Sequence, residues 1–482
     1  MLRRDFLKIS TAALATVAWP QPARAKPAAP LNFVFILIDD MGWRDCGCNG
    51  STFYETPNID RLASEGMRFT DAYAACPVCS PTRAAIMTGK YPARLHITDW
   101  IPGGGQKGRL DSLAFRQQLP LAEVTLAEAF KDAGYRTGFI GKWHLGGADY
   151  YPTKQGFDTN IAGNHRGAPA QGYFSPYNLE NLTDGPEGEY LPDRLAGEAV
   201  SFLKGNRDRP FFLYLSHYTV HSPVQAKKDT IEKYKAKAAR IQTAGPGFAP
   251  EGPDARNRRH QDHPAFAAMI EHMDQNVGRV LDSIKSLGLE HNTVVVFTSD
   301  NGGQSVLLNA RTEPWGSNRP LRAGKGWTYE GGIRVPLIVK WPGITKPAST
   351  CSEPVISCDF YPTLLEIAGL PARPQQHVDG LSLAPLLKQT GSLNRHALYW
   401  HYPHYHGSGH RPGGAIRAGD FKLLEFFEDM HVELYNLSRD IREDHNLASS
   451  MPQKVDELRD MLHNWRKAVN AAMPGPNPDY TG

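Results

Sequence analysis

Two stretches of the chain share one layout, and it narrows the fold sharply. Asn32-Phe33-Val34-Phe35-Ile36-Leu37-Ile38 is apolar throughout after its first residue and ends in Asp39-Asp40. Thr293-Val294-Val295-Val296-Phe297-Thr298 ends the same way, in Ser299-Asp300-Asn301-Gly302-Gly303. An unbroken apolar run of this kind reads as a strand covered on both faces, as in a parallel sheet, whereas a half-exposed strand would alternate. Thr137 to Ile140 and Phe211 to Leu215 read as two more such strands. Helices lie between them. Thr125-Leu126-Ala127-Glu128 is a capping box, with its helix ending at Gly134. Asp193 can cap a helix that turns Leu195, Ala199, Phe202 and Leu203 to one side. Phe266, Met269, Ile270, Met273, Val277, Val280, Leu281 and Ile284 keep helical spacing, and Gly288 ends that helix. The expected fold is therefore α/β, with a central mostly parallel sheet flanked by helices. Paired carboxylates at the end of a buried strand are costly unless neutralised. In open α/β sheets that edge is where ligands bind. Asp39-Asp40, Lys142 with His144, His221 and Asp300-Asn301 should meet there, Lys142 and His144 pointing the same way from an extended segment.

Cys79-Ser80-Pro81-Thr82-Arg83-Ala84-Ala85-Ile86-Met87-Thr88-Gly89 supplies a cationic corner for that edge. Ser80 reads as an N-cap, Pro81 suits the first helical turn, and Gly89 ends the helix. Cys79 then sits at the positive end of a short helix, with Arg83 one turn in, a place for an anionic atom and an anionic substrate. Asp39, Asp40, Asp300 and Asn301 offer oxygen donors that suit a hard divalent cation.

Cys79-x-Pro81-x-Arg83 with Thr88-Gly89 resembles the core motif of the type I sulfatases, enzymes of the alkaline-phosphatase-like superfamily whose motif cysteine is oxidised to formylglycine. Thr82 stands where serine is more usual. Met41-Gly42-Trp43, Gly141-Lys142-Trp143-His144-Leu145-Gly146, His221-Ser222-Pro223, Ser299 to Gly303 and Leu321 to Pro336 resemble further blocks of the family, in order. The resemblance implies a sulfuric ester hydrolase acting on a sulfated carbohydrate or aryl sulfate. It implies Cys79, Arg83, Lys142, His144, His221 and Lys325 as catalytic residues. Asp39, Asp40, Cys79, Asp300 and Asn301 would be metal ligands. The metal it implies is Ca2+; the donors leave Mg2+ open. A formylglycine-generating or radical maturase is the implied partner for Cys79. A phosphate or phosphonate ester hydrolase of the same superfamily is one alternative; a non-catalytic binder of sulfated glycans, with Cys79 unmodified, is the other. The glycines around Lys325 suggest a loop pressed against a ligand.

The remaining features set the context. Arg3-Arg4-Asp5-Phe6-Leu7-Lys8, a short apolar run to Trp19 and Ala23-Arg24-Ala25 resemble a twin-arginine signal over residues 1–25, so the twin-arginine translocase and a periplasmic location are expected. A net charge of +3 over 482 residues gives no basic stripe for nucleic acid, and no other segment is apolar enough to anchor in a membrane. Six cysteines are too few for a disulfide scaffold; Cys76 reads as a packed neighbour, and Cys351 and Cys358 as a pair or as free thiols. Residues 26–390 read as the catalytic domain. Residues 391–482 read as a small C-terminal α+β domain with an antiparallel sheet and one helix. Val224 to Pro264 reads as an exposed charged insertion, either a solvated loop or a lid. His401, His404, His406 and His410 read as a wall of the substrate pocket ahead of a second metal site.

Overall fold

A computed structural model describes residues 30–241, 243–252, 254–308 and 313–481. The expected signal segment, residues 1–25, lies outside the described residues. Eight strands form the main sheet: β1 (Asn32–Ile38), β2 (Met67–Phe69), β3 (Arg136–Gly141), β4 (Thr159–Ile161), β5 (Phe211–Ser216), β6 (Thr293–Ser299), β7 (Leu337–Lys340) and β8 (Ser349–Cys351), in the spatial order 8-2-7-6-1-5-3-4. Strands 6-1-5-3-4 are mutually parallel; β7 runs antiparallel to both β6 and β2, and β8 is parallel to β2.

The sequence of β1 explains why it lies in the middle. Val34, Ile36 and Ile38 pack on one face with the helices Leu191–Asn206 and Pro264–Ser286. Phe33, Phe35 and Leu37 pack on the other with the helices Cys79–Thr88, Leu126–Asp132 and Phe360–Ala368. Alternate side chains enter two different cores, so every position had to be apolar. Phe35 stacks on Tyr214 of β5 at 4.9 Å, and Tyr214 on Phe139 of β3 at 5.5 Å. After β5 the chain crosses over β1 to lay down β6 on its far side, which opens a crevice at the carboxyl ends of β5, β1 and β6.

Three local expectations change. The helix at the cysteine starts at Cys79 itself with Val78 as N-cap, because the Ser80 hydroxyl is committed elsewhere, donating to the His144 carbonyl at 2.9 Å and accepting from Ile101 N–H at 3.1 Å. Asp193 lies in the first turn of its helix, behind the N-cap Tyr190, and pairs with Lys227 at 2.6 Å. The segment Val224 to Pro264 is not simply a solvated loop. It contains the helix Lys228–Ala238, anchored by buried Tyr234 against Phe53, and the antiparallel pair Phe248–Glu251 and Ala255–Arg258.

The C-terminal part forms a four-stranded antiparallel sheet, β9 (Leu398–Tyr402), β10 (Gly413–Ala418), β11 (Phe421–Phe426) and β12 (Val432–Asn436), in that order. One face takes Leu458 and Leu462 of the helix Pro452–Ala468; the other presents Trp400 and Leu424 to Tyr73, in a short strand paired with Val355–Ile356, and to Trp327. A buried polar join fixes the two sheets together. Lys422 Nζ lies 2.9 Å from both Glu330 and Glu443 and is fully enclosed. Burial pushes the Glu443 carboxyl up to about 7 against the pull of Lys422, so it can take a proton if the ammonium is lost. Lys422→Ala should therefore lower unfolding free energy by about 3 kcal/mol, at the lower end for a broken buried ion pair; denaturant melts at pH 7 measure it. Among the described residues no helix is long and apolar enough to cross a membrane, and Cys351 and Cys358 are free thiols.

Candidate active site

The carboxyl ends of β1 and β6 bring their oxygen donors together. Carboxylate oxygens of Asp39, Asp40 and Asp300 lie within 4.8 Å of one another, all buried. The backbone holds them there. Asp300 N–H donates to the Ile38 carbonyl at 3.1 Å, and Asp40 N–H to Asp300 Oδ1 at 3.2 Å. Asp40 adopts the left-handed conformation, φ 61°, a strained position for a non-glycine residue. Asn301 Nδ2 donates to Asp40 Oδ1 at 2.8 Å.

Each carboxylate has its own cation. Lys142 Nζ sits 2.7 Å from Asp39 Oδ2, Lys325 Nζ 2.8 Å from Asp40 Oδ2, and Arg83 Nε 2.9 Å from Asp300 Oδ2. Arg83 is locked further by Nη1 bonds to the Lys142 carbonyl and Ser216 Oγ, both 2.7 Å. Burial pushes the Asp39 carboxyl well up against the pull of Lys142. Burial acts the same way on Asp40, yet Lys325, His221 and Lys142 together hold its carboxyl below the usual range. Two oxygens of the cluster, Asp39 Oδ1 and Asn301 Oδ1, are buried without a hydrogen-bond partner. Orphaned acceptors beside three crowded carboxylates are what a hard cation would satisfy. The donor set Asp39, Asp40, Asp300 and Asn301 therefore fits a divalent metal, and the positive charge would stabilise an ionised Asp39.

Cys79 stands on the same cup. Its thiol, 3% exposed, is 3.3 Å from His144 Nδ1. His144 Nε2 approaches the Ile101 carbonyl at 2.5 Å. A carbonyl only accepts, so Nε2 carries the proton. Burial, then Lys142, hold this imidazole neutral well below the ordinary histidine range, so Nδ1 faces Cys79 as a bare acceptor. His144 reaches this position from a left-handed backbone, φ 58°, rather than from the extended segment expected for Lys142-Trp143-His144; both side chains still enter the site. His221 is oriented likewise: Nδ1 lies 2.7 Å from the Ser222 carbonyl and Nε2 3.8 Å from Asp40 Oδ2, with burial foremost and Lys325 next lowering its pKa to about 3. His217 is buried beside Ser216 with neither ring nitrogen bonded.

The glycines on either side of Lys325 are crowded by protein neighbours. A Cβ at Gly326, φ 85°, would stand 2.1 Å from His406 Nδ1, and one at Gly324 2.4 Å from the Gly303 carbonyl. The glycines let the loop press against protein, which aims Lys325 inward.

Above these groups opens a cavity of about 580 Å³ lined by Cys79, His144, His221 and Lys325 on its floor and by Trp100, Ile101, Gln106, His165, Arg166, Gln304, Tyr405 and His406 on its walls. Tyr405 and His406 come from the histidine-bearing aromatic loop expected as a wall; the other wall residues come from irregular loops with no periodic signal. A groove of about 720 Å³ around Lys340–Pro347 lies at the amino ends of the parallel strands, away from the carboxylates. Of the four histidines expected as a pocket wall, His406 lines the main cavity. His404 lines an adjoining one of about 280 Å³, bonded to Thr98 at 2.8 Å. His401 is engaged with the Ala472 carbonyl at 2.8 Å, while His410 packs against Trp327 and, with His406, lines a further adjoining cavity of about 300 Å³. They do not converge on one point; among the described residues the metal-competent cluster is the aspartate one.

Asp99 buttresses the Trp100–Ile101 wall, its Oδ1 accepting from Trp100 N–H at 2.9 Å and Tyr402 O–H at 2.8 Å. Burial raises this carboxyl to about 7 against those bonds. The folded state thus favours the protonated form, and stability is lost as pH rises from the unfolded value of 3.8 through 7. Asp99→Asn keeps the accepting oxygen without the charge. Between pH 5 and 8 the parent should lose about 2 kcal/mol relative to the variant, measured by parallel denaturant melts.

Residues 31–370 match the family described as Sulfatase, and residues 323–470 the family described as N-sulphoglucosamine sulphohydrolase, C-terminal. A sulfatase of Formosa agariphila is 33% identical over 537 residues, covering 95% of this chain and 92% of that protein. Human arylsulfatase A is 33% identical, over 93% of this chain and 90% of its own. The crystal structure of Ps i-CgsB in complex with k-i-k-neocarrahexaose superposes with a TM-score of 0.71 at 30% identity, covering 90% of this chain and 92% of that one.

Proposed function

The chain belongs to the sulfatase family, and on that premise we propose that this sulfatase removes sulfate from carbohydrate esters through a formylglycine made from Cys79 and a divalent cation, calcium or magnesium, held by Asp39, Asp40, Asp300 and Asn301. The observation that carries the reading is the meeting of Cys79 with His144 Nδ1, 3.3 Å apart, over three buried carboxylates.

The hydrated aldehyde would supply a hydroxyl nucleophile toward sulfur and the cation would favour its ionised form, which an unmodified thiol at this position cannot match. The chain's own groups divide the remaining work. Three cations already balance three carboxylates, so a divalent ion leaves the cup positive, suited to a sulfate monoester anion. Arg83 is too tightly bound to leave Asp300 and acts as fixed charge beside the nucleophile. Lys142 and Lys325 face the cup and can hold sulfate oxygens. His144 Nδ1, bare and aimed at residue 79, takes the proton from the second hydroxyl when sulfate is expelled. An incoming sulfate anion favours protonated His221, which then offers Nε2–H to the ester or the departing alcohol.

A saccharide substrate is supported by the space available. The main cavity is flanked by cavities of about 280 and 300 Å³, and all three share Gln106 and Tyr405. Ps i-CgsB, 30% identical, holds a hexaose. Residues 26–390 would form the catalytic unit and 391–482 the one that lends Tyr405 and His406. The Arg3-Arg4 segment fits export of the folded, already converted protein to the periplasm by the twin-arginine translocase, after a maturase has acted on Cys79.

The test is turnover of matched sulfate and phosphate esters on the same sugars and aryl groups. Sulfate esters should be preferred by at least about 100-fold, roughly 3 kcal/mol of differential transition-state binding; preference for phosphate would overturn the reading. Chelation should lower sulfate release by about 100-fold or more, with recovery on adding Ca2+ or Mg2+.

A further inference from the structure

We propose that Arg166 is a second-anion subsite, so that the enzyme selects sugars carrying another sulfate or a carboxylate near the ester it cleaves; this rests on the sulfatase reading above. Among the described residues, those lining the main cavity include no Asp or Glu. Of its two fixed cations, Lys325 is matched to Asp40 at 2.8 Å. Arg166 makes no ion pair or side-chain hydrogen bond among the described residues; only its backbone N–H is engaged, donating to Asn164 Oδ1 at 2.8 Å. An unpaired guanidinium on a wall without carboxylates is complementary to an anion that the protein does not itself supply.

Arg166 is exposed, but the backbone that carries it is held close to the reacting centre. Asn164 is fully buried, and its carbonyl accepts from His144 N–H at 3.0 Å. Next along the loop, a Cβ on Gly167 would stand 2.6 Å from His144 Cε1. The loop that carries Arg166 therefore lies against the ring that faces Cys79, at a fixed offset from the reacting centre. Half-buried Trp100 lines the same cavity and offers an apolar ring face to the sugar between the two anions. Lys325 and its neighbours would bind the ester to be cleaved; Arg166 would bind the substituent that stays.

Equilibrium binding to Cys79→Ala protein, whose turnover should be lower by at least about 10⁴-fold, tests the subsite directly. The probes are heparin disaccharides and carrageenan oligosaccharides of equal length bearing one sulfate or several. The best multiply sulfated probe should bind about 10-fold more tightly than its monosulfated counterpart, and Cys79→Ala with Arg166→Ala should bind both alike, with Arg166→Lys recovering part of the preference. Two results would overturn the proposal: no preference on any matched pair, or a preference that survives Arg166→Ala. Failure of the sulfatase reading would look different, as metal-loaded enzyme with converted Cys79 that releases sulfate from none of the esters.

Discussion

Cys79→Ala will lower sulfate-ester turnover by at least about 10⁴-fold, with an unchanged fold. The size follows from what the side chain does. Among the described residues it is the one group that both faces the His144 acceptor nitrogen at 3.3 Å and opens onto the cavity above the three carboxylates. Arg83, Lys142 and Lys325 would still bind and polarise a sulfate ester in the variant, so residual catalysis by electrostatics and positioning remains, as in enzymes stripped of a nucleophile. The fold should persist because the helix gets its start from Val78 and its end from Gly89, φ 68°, and its packing from Ala84, Ile86 and Met87. Substrate binding should weaken little. A variant that lost binding and turnover together, with a shifted melting curve, would indicate a structural role for the thiol instead.

Asp300→Ala should produce the second-largest loss, about 10³-fold in turnover together with about 3–5 kcal/mol of stability. Asp300 receives Arg83 through Nε at 2.9 Å and Nη2 at 2.8 Å, both partners being buried. Removing the carboxylate leaves a guanidinium in a dry site with only the Asp39 oxygen, 3.7 Å away, as counter-charge. It also removes one of the donors proposed for the metal and the acceptor for Asp40 N–H. Asp300→Asn separates these contributions: it keeps an acceptor for Asp40 N–H and much of the shape but not the charge. Asp300→Asn should recover part of the stability and little of the activity. Denaturant melts and kcat at saturating metal check both halves.

The sheet was legible because β1 and β6 are buried on two faces, and two-sided burial leaves a run of apolar residues that needs no tertiary information to recognise. Their ends were legible for the complementary reason. Asp39-Asp40 and Ser299-Asp300-Asn301 are polar clusters where the hydrophobic pattern stops. What local pattern could not supply was direction. Ser80 looked like an N-cap until its hydroxyl was seen between Ile101 and His144, 21 and 64 residues away. The Lys142-Trp143-His144 stretch was expected to be straight; the left-handed turn at His144 is imposed by its ring bond to the Ile101 carbonyl and its backbone bond to Asn164. The charged stretch after Val224 looked solvated because its anchor, Phe53 against Tyr234, spans 181 positions. The cavity walls were hidden for the same reason. Trp100 and Arg166 sit in loops whose shape is set by distant contacts, and no local pattern marks either of them in the chain.

One measurement bears on all of this at once: the fraction of Cys79 converted to the aldehyde, read by peptide mass spectrometry across preparations made with different amounts of maturase, set against sulfate release per mole of protein. Activity should rise in proportion to the converted fraction and extrapolate to zero with none. Full activity in protein whose Cys79 is still an intact thiol would contradict the account.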